Sequence, residues 1–145
     1  MSPDRGLAAI TGATGFLGQH VVRALADDGW RVRILARRDP VSLFWSGLTP
    51  EVVRGDLFDQ LALKRLSEGA DVVVHIAGQI GGRKRDLDRI NIEGSRNVAK
   101  AVLGANGSMI QIPAWRRASR SCRLTGPANG RGRRPRAACW DRAWA

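Results

Sequence analysis

The stretch with the clearest chemical potential is Thr11-Gly12-Ala13-Thr14-Gly15-Phe16-Leu17-Gly18. A short apolar run, Leu7-Ala8-Ala9-Ile10, precedes it and an amphipathic segment follows. Strand, glycine turn and helix in that order form the setting in which bare backbone can approach a pyrophosphate. Gly12 is expected to turn tightly off the strand, Gly15 to let the backbone reach the phosphates, and Gly18 to let the helix press on the sheet. Thr14, Phe16 and Leu17 lie between these glycines and are expected beside the same ligand. The phosphates would sit at a helix N-terminus, where unpaired N–H groups and the helix dipole favour negative charge. A plain strand–turn–helix with incidental glycines is the bland alternative, and three glycines at this spacing argue against it.

The next charged group bears on which dinucleotide is held. Trp30-Arg31-Val32-Arg33-Ile34-Leu35-Ala36 alternates like a strand and runs into Arg37-Arg38-Asp39. Folds selective for NAD place an acid near the end of this strand to hold the ribose 2′-OH, whereas folds selective for NADP place an Arg beside the 2′-phosphate. Ala36 stands at the acid's position here. A guanidinium can bond a phosphate through two N–H groups, so NADP is expected, with Arg37 first and Arg38 second. Asp39 keeps NAD as the alternative, and a solvated turn is the plain reading of both arginines.

These residues must be positioned by regular elements. Residues 16–25 carry apolar side chains at 17, 21, 22 and 25, one helical stripe that stops near Gly29. His20 falls on its more polar side and is expected at the surface. Residues 40–47, with Phe44 and Trp45, read as a loose helix or loop, and Glu51-Val52-Val53-Arg54 as a third strand. Leu61, Leu63 and Leu66 mark another helix, stopped at Gly69. Residues 71–78 read as a buried parallel strand ending in the slim pair Ala77-Gly78, with His75 a structural residue at its end. A single helix over 87–103 would bury Ile90, Gly94, Val98, Ala101 and Val102 on one face, and residues 108–112 form a fifth strand.

The glycine spacing is Gly-x-x-Gly-x-x-Gly, and it resembles the TGxxGxxG motif of the short-chain dehydrogenase/reductase superfamily, in its extended, epimerase/dehydratase-like branch. Three further segments fit that resemblance in order. Gly55-Asp56-Leu57 matches the Gly-Asp-[Leu/Val] of the extended members, which implies that Asp56 accepts a bond from the adenine amino group, with Leu57 beside it. His75-Ile76-Ala77-Gly78 is similar to the HxAA or NNAG segment that passes under the cofactor. Asn91-Ile92-Glu93-Gly94-Ser95-Arg96-Asn97 resembles an Asn-Val-x-Gly-Thr-x-Asn stretch, in which the residue matching Asn91 supports the site through the helix backbone. The implied fold is α/β, a Rossmann-type doubly wound parallel sheet truncated at about five strands, over residues 1–112. Hydride transfer on a sugar-nucleotide, steroid or other carbonyl or hydroxyl substrate is the activity implied for an intact relative.

The pattern stops after the fifth strand. The family carries a Ser or Thr there, then Tyr-x-x-x-Lys, whose Tyr moves a proton at the substrate with its pKa lowered by the Lys. This chain has no tyrosine, and its lysines, Lys64, Lys84 and Lys100, all precede that strand. No turnover is therefore expected, and no residue is assigned as catalytic. Of the formal charge of +11, a net +8 lies in residues 113–145, where 9 Arg face the single acid Asp141. Cys122 and Cys139 lie there too, with neither CxxC spacing nor a neighbouring His to suggest zinc or a disulfide framework.

Two readings of residues 113–145 stand. One is an irregular basic arm on a non-catalytic NAD(P)-sensing or assembly protein, contacting RNA or a partner. The other is a tail translated out of frame. Read with the frame displaced by one nucleotide, residues 113–136 admit the pattern SSLAxREPELSxYGxSKRAG. Leu124-Thr125 can then supply TAC for Tyr, and Ala128-Asn129 can supply AAA for Lys four codons later. This second reading is preferred, and nucleic acid is not the expected partner despite the basic tail. The expected partners are the dinucleotide and, in an intact relative, a small-molecule substrate.

At 145 residues the chain suits one domain. No apolar run approaches the roughly 20 residues of a membrane span, and the first residues show no signal-peptide core. A cytoplasmic location without membrane association is expected. A fragment whose sheet edge is left bare could also fail to fold stably.

Overall fold

A computed structural model describes residues 5–40 and 45–112. The elements run β1 (Leu7–Thr11), α1 (Phe16–Asp27), β2 (Arg31–Ala36), β3 (Glu51–Arg54), α2 (Gln60–Ser67), β4 (Val72–His75), α3 (Lys84–Asp88), a π-helical turn (Arg89–Gly94), α4 (Ser95–Gly104) and β5 (Ser108–Gln111). The strands form one parallel sheet in the order β3-β2-β1-β4-β5. The chain thus steps outward from β1 to β3 and then restarts on β1's other side. The crevice beyond the carboxyl ends of β1 and β4, where the strand order reverses, is where such sheets bind ligands.

Two apolar layers flank the sheet. Leu35, Leu63, Leu66, Val73, Val98 and Val102 pack α2 and α4 on one face. Ile10, Val22, Ile34, Trp45 and Val74 pack α1 and the Trp45 segment on the other. Because both faces are covered, the central strands carry continuous apolar runs instead of alternation. That is why all of β1 is buried, and why β2 ends in three consecutive buried residues, Ile34, Leu35 and Ala36. The expected alternation of β2 holds only at its start.

Other expectations are corrected in detail. Leu61 is 70% exposed; the buried face of α2 is Ala62, Leu63 and Leu66, and Asp59 caps the helix by accepting from Leu61 N and Ala62 N. The single helix expected over 87–103 is α3, the π turn and α4 in succession. A π turn carries an extra residue, which re-phases the stripe. Leu87 therefore faces inward together with Gly94, Ser95, Val98 and Val102. Asn97 donates through Nδ2 to the Leu57 carbonyl at 3.0 Å, tying α4 to the segment after β3. Among the described residues no helix is long and apolar enough to cross a membrane. Phe44 and every expectation for residues 113–145 lie outside the described residues.

Candidate cofactor site

The glycine loop is the floor of an open cavity of about 750 Å³ at the carboxyl ends of β1, β2 and β4. Gly12 leaves β1 with φ +76°, and a Cβ there would stand 2.5 Å from the Ala77 nitrogen, so the loop and the end of β4 meet backbone to backbone. Gly18 is buried, and its missing Cβ would fall into the Gly12 carbonyl and 2.7 Å from Ala13 Cα. Both positions need glycine for contact with protein, and α1 meets the Gly12–Ala13 loop at Gly18, not the sheet. Gly15 is exposed at the head of α1, with its N–H donating to the Gly12 carbonyl at 3.1 Å.

Gly12, Thr14, Gly15, Phe16, Leu17 and Gly18 all line the cavity, as do Arg37, Asp56, Leu57, Ala77 and Gly78. Two expected site residues do not. Arg38 is exposed at the start of the loop after β2 and stands outside the lining, where its neighbour Arg37 lies within it. Asn91 sits behind the wall: its Nδ2 donates to the Gln79 carbonyl and its Oδ1 accepts from the Gln79 N–H, both at 2.8 Å. Leu17 shares the apolar stripe of α1, yet it is 45% exposed and lines the cavity.

On the β2–β3 side the wall is charged and open. Asp56 Oδ1 accepts from Phe58 N at 2.7 Å and Asp59 N at 3.1 Å, an Asx turn that holds the carboxylate in place. Its Oδ2 has no partner among the described residues. Asp39 is paired with Arg54 at the end of β3, both side chains being largely exposed. Phe58 lines the cavity and carries the Arg89 guanidinium 4.6 Å from its ring centroid.

On the β4 side a buried polar chain lies beneath the wall. His75, only 1% exposed, bonds Thr11 Oγ1 through Nδ1 at 2.6 Å and Ser95 Oγ through Nε2 at 2.9 Å. Ser95 Oγ donates to the Asn91 carbonyl at 2.7 Å, and Thr11 Oγ1 accepts from Ala77 N at 3.4 Å. Burial, which penalises the imidazolium, pushes the His75 pKa down to about 4. His20, by contrast, is exposed and meets the Phe16 ring edge-on at 5.4 Å between centroids. Phe58, Gln79, Ile80 and Ile90 also line the cavity and were not anticipated. Gln79 follows the motif Ala77-Gly78 directly, a signal that was available.

The chain resembles proteins that share this architecture. It is 53% identical over 109 residues to a ceramide reductase of Caulobacter vibrioides, the match covering 74% of this chain and 34% of that protein. It is 36% identical over 90 residues to sterol demethylase protein B of Methylococcus capsulatus, covering 60% and 27%. Its fold superposes on a short-chain dehydrogenase/reductase superfamily protein from Agrobacterium tumefaciens, solved with bound NAD, with a TM-score of 0.60 and 28% identity over 72% of this chain and 31% of the other. The chain therefore spans about a third of the length of these relatives or less. The NAD dependent epimerase/dehydratase family model matches residues 8–113, and the chain belongs to that family.

Proposed function

We propose that this chain holds the dinucleotide-binding part of an NADP(H)-preferring reductase that acts on an apolar, ceramide-like lipid. The observation that carries the reading is the cavity floor, bare backbone at Gly12 and Gly18 opening onto the N-terminus of α1. A bound nicotinamide would supply or accept hydride at the substrate carbon. The chain's own residues bind and orient. The loop and α1 N-terminus hold the pyrophosphate, Arg37 offers its guanidinium to the 2′-phosphate, and Asp56 accepts from the adenine amino group through Oδ2. Ala77 and Gly78 keep the opposite wall slim.

Three observations favour NADP over NAD. Ala36 occupies the position of the ribose-binding acid, Arg37 lines the cavity, and Asp39 is engaged by Arg54. An apolar substrate agrees with the cavity rim, where Phe16 is 85% and Ile80 75% exposed. Similarity to a ceramide reductase and to a sterol demethylase protein supports the same class. On this reading the chain binds cofactor without turnover, because it has no tyrosine and none of Lys64, Lys84 and Lys100 lines the cavity. With suitable codons, the displaced frame over residues 113–136 would supply Tyr-x-x-x-Lys to an intact relative.

Titration of the purified chain with NADPH and NADH, followed by calorimetry, tests the cofactor reading. NADPH should bind about 10-fold tighter, as loss or gain of one charge-assisted bond implies. Equal affinities would remove the NADP preference, and no binding would remove the site. Reduction of a long-chain lipid ketone by the purified chain would overturn its assigned inactivity. Sequencing the coding DNA from the Ser108 codon onward should reveal Tyr-x-x-x-Lys and a long open frame one nucleotide out of step. Failing that, the basic tail stands as a real part of a non-catalytic NAD(P)-binding protein.

A further inference from the structure

The buried polar chain beneath the β4 wall has a direction that its partners dictate. The Asn91 carbonyl can only accept, so the single Ser95 hydroxyl proton goes to it. Ser95 Oγ must then accept from His75, which places the ring proton on Nε2 and leaves Nδ1 an acceptor. Nδ1 takes the Thr11 hydroxyl proton, and Thr11 Oγ1 takes the Ala77 N–H. Gln111 adds a second donor to Ser95 Oγ at 3.3 Å. The chain therefore runs one way, from Ala77 through Thr11, His75 and Ser95 to the Asn91 carbonyl in the π turn. Asn91 in turn grips both backbone groups of Gln79 on the cavity wall.

We propose that His75, as the neutral Nε2–H tautomer, is a positioning residue that couples the glycine loop to the π turn and so sets the Gln79 wall against which the nicotinamide half of the cofactor lies. The proposal rests on the cofactor reading above. Arg37 and Asp56, by the ends of β2 and β3, serve the adenosine half of such a fold, which leaves the β4–β5 side to the other mononucleotide. His75 touches no ligand itself. It works because a buried polar group left without its partner forces its neighbours to move.

Ser95→Ala cuts the chain at its far end by removing one hydroxyl, and Ser95→Thr restores it; His75→Phe cuts it at the centre, with greater risk to folding. The first readout needs no ligand. Amide exchange at Gln79, whose N–H is bonded to Asn91 Oδ1, should accelerate about 10-fold in Ser95→Ala and return toward the parent rate in Ser95→Thr. The second compares ligands on the full chain: NADPH and NADH against adenosine 2′,5′-bisphosphate and ADP, which carry only the adenosine half. Ser95→Ala should weaken the dinucleotides about 10-fold while changing the fragments less than about 2-fold. Unchanged Gln79 exchange, or an equal loss for dinucleotide and fragment, overturns the proposal. A parent chain that binds none of the four ligands overturns the cofactor reading and the nicotinamide assignment with it, while Gln79 exchange still decides the coupling.

Discussion

The wall on the β2–β3 side holds Arg37 and Asp56 exposed to solvent, with Asp39 paired to Arg54. The opposite wall hides Thr11, His75 and Ser95, each less than a tenth exposed and each hydrogen-bonded. Charges on the first side stand at the surface, so replacing one is expected to cost the fold little. Polar groups on the second side were taken out of water and are paid for by mutual bonds, so each is held in one arrangement. Exposed charge and buried hydrogen bonding are thus divided between the two sides of one cavity. The glycine loop joins them: Gly12 lies against Ala77 on the buried side, and Gly15 opens toward solvent.

The largest effect is expected at that junction. Gly12→Val places a β-branched side chain at φ +76°, with its Cβ against the Ala77 nitrogen. It should lower dinucleotide affinity about 100-fold or more and cost about 3 kcal/mol of stability, read by calorimetry and by the urea midpoint. A variant that keeps parent affinity would show that the two walls need not meet at backbone contact.

Acid should separate the walls next. His75 has a folded pKa of about 4 against 6.5 in the unfolded chain, so between those values the unfolded state binds a proton that the folded state refuses. Stability then rises with pH across that window. It is fully present above pH 6.5, lost progressively on the way down to pH 4, and the loss amounts to roughly 3 kcal/mol. Urea denaturation at stepped pH measures it, and His75→Gln should flatten the profile if that variant folds.

A smaller change belongs to the open wall. Arg37→Ala should weaken NADPH about 10-fold and leave NADH within about 2-fold, with the urea midpoint unmoved. A parallel loss for both cofactors would instead make Arg37 part of general phosphate attraction. The smallest change is expected for Arg54→Ala, which releases Asp39 from an exposed pair worth at most about 1 kcal/mol. The NADPH-to-NADH affinity ratio should fall about 2-fold; a rise would mean that Arg54 hinders the 2′-phosphate.

Much of the open wall was legible in the chain's order of residues. Gly12, Gly15 and Gly18 and the Arg37 that follows β2 are read from spacing within a few residues, Asp56 is what the family resemblance of Gly55-Asp56-Leu57 implies, and all line the cavity. Arg38, the second choice, is equally exposed and lies outside the lining. The π turn was not legible. It arises at Arg89–Gly94 within a segment whose apolar spacing also suits an unbroken helix, and its place depends on Gly94 meeting Leu57 and Ser95 meeting His75.

The sequence by itself determined that a parallel, doubly covered sheet would form with a tight glycine turn after its first strand. Local spacing of glycines and apolar runs is enough for that. Tertiary structure alone decided that Thr11, 64 residues from His75, would lie opposite it in register, and that Ser95 would close the chain from a helix. It also decided that Asp39 would be held by Arg54. Each of these is a bond between groups distant in sequence, and only the pairing of strands and the packing of helices bring such groups within reach.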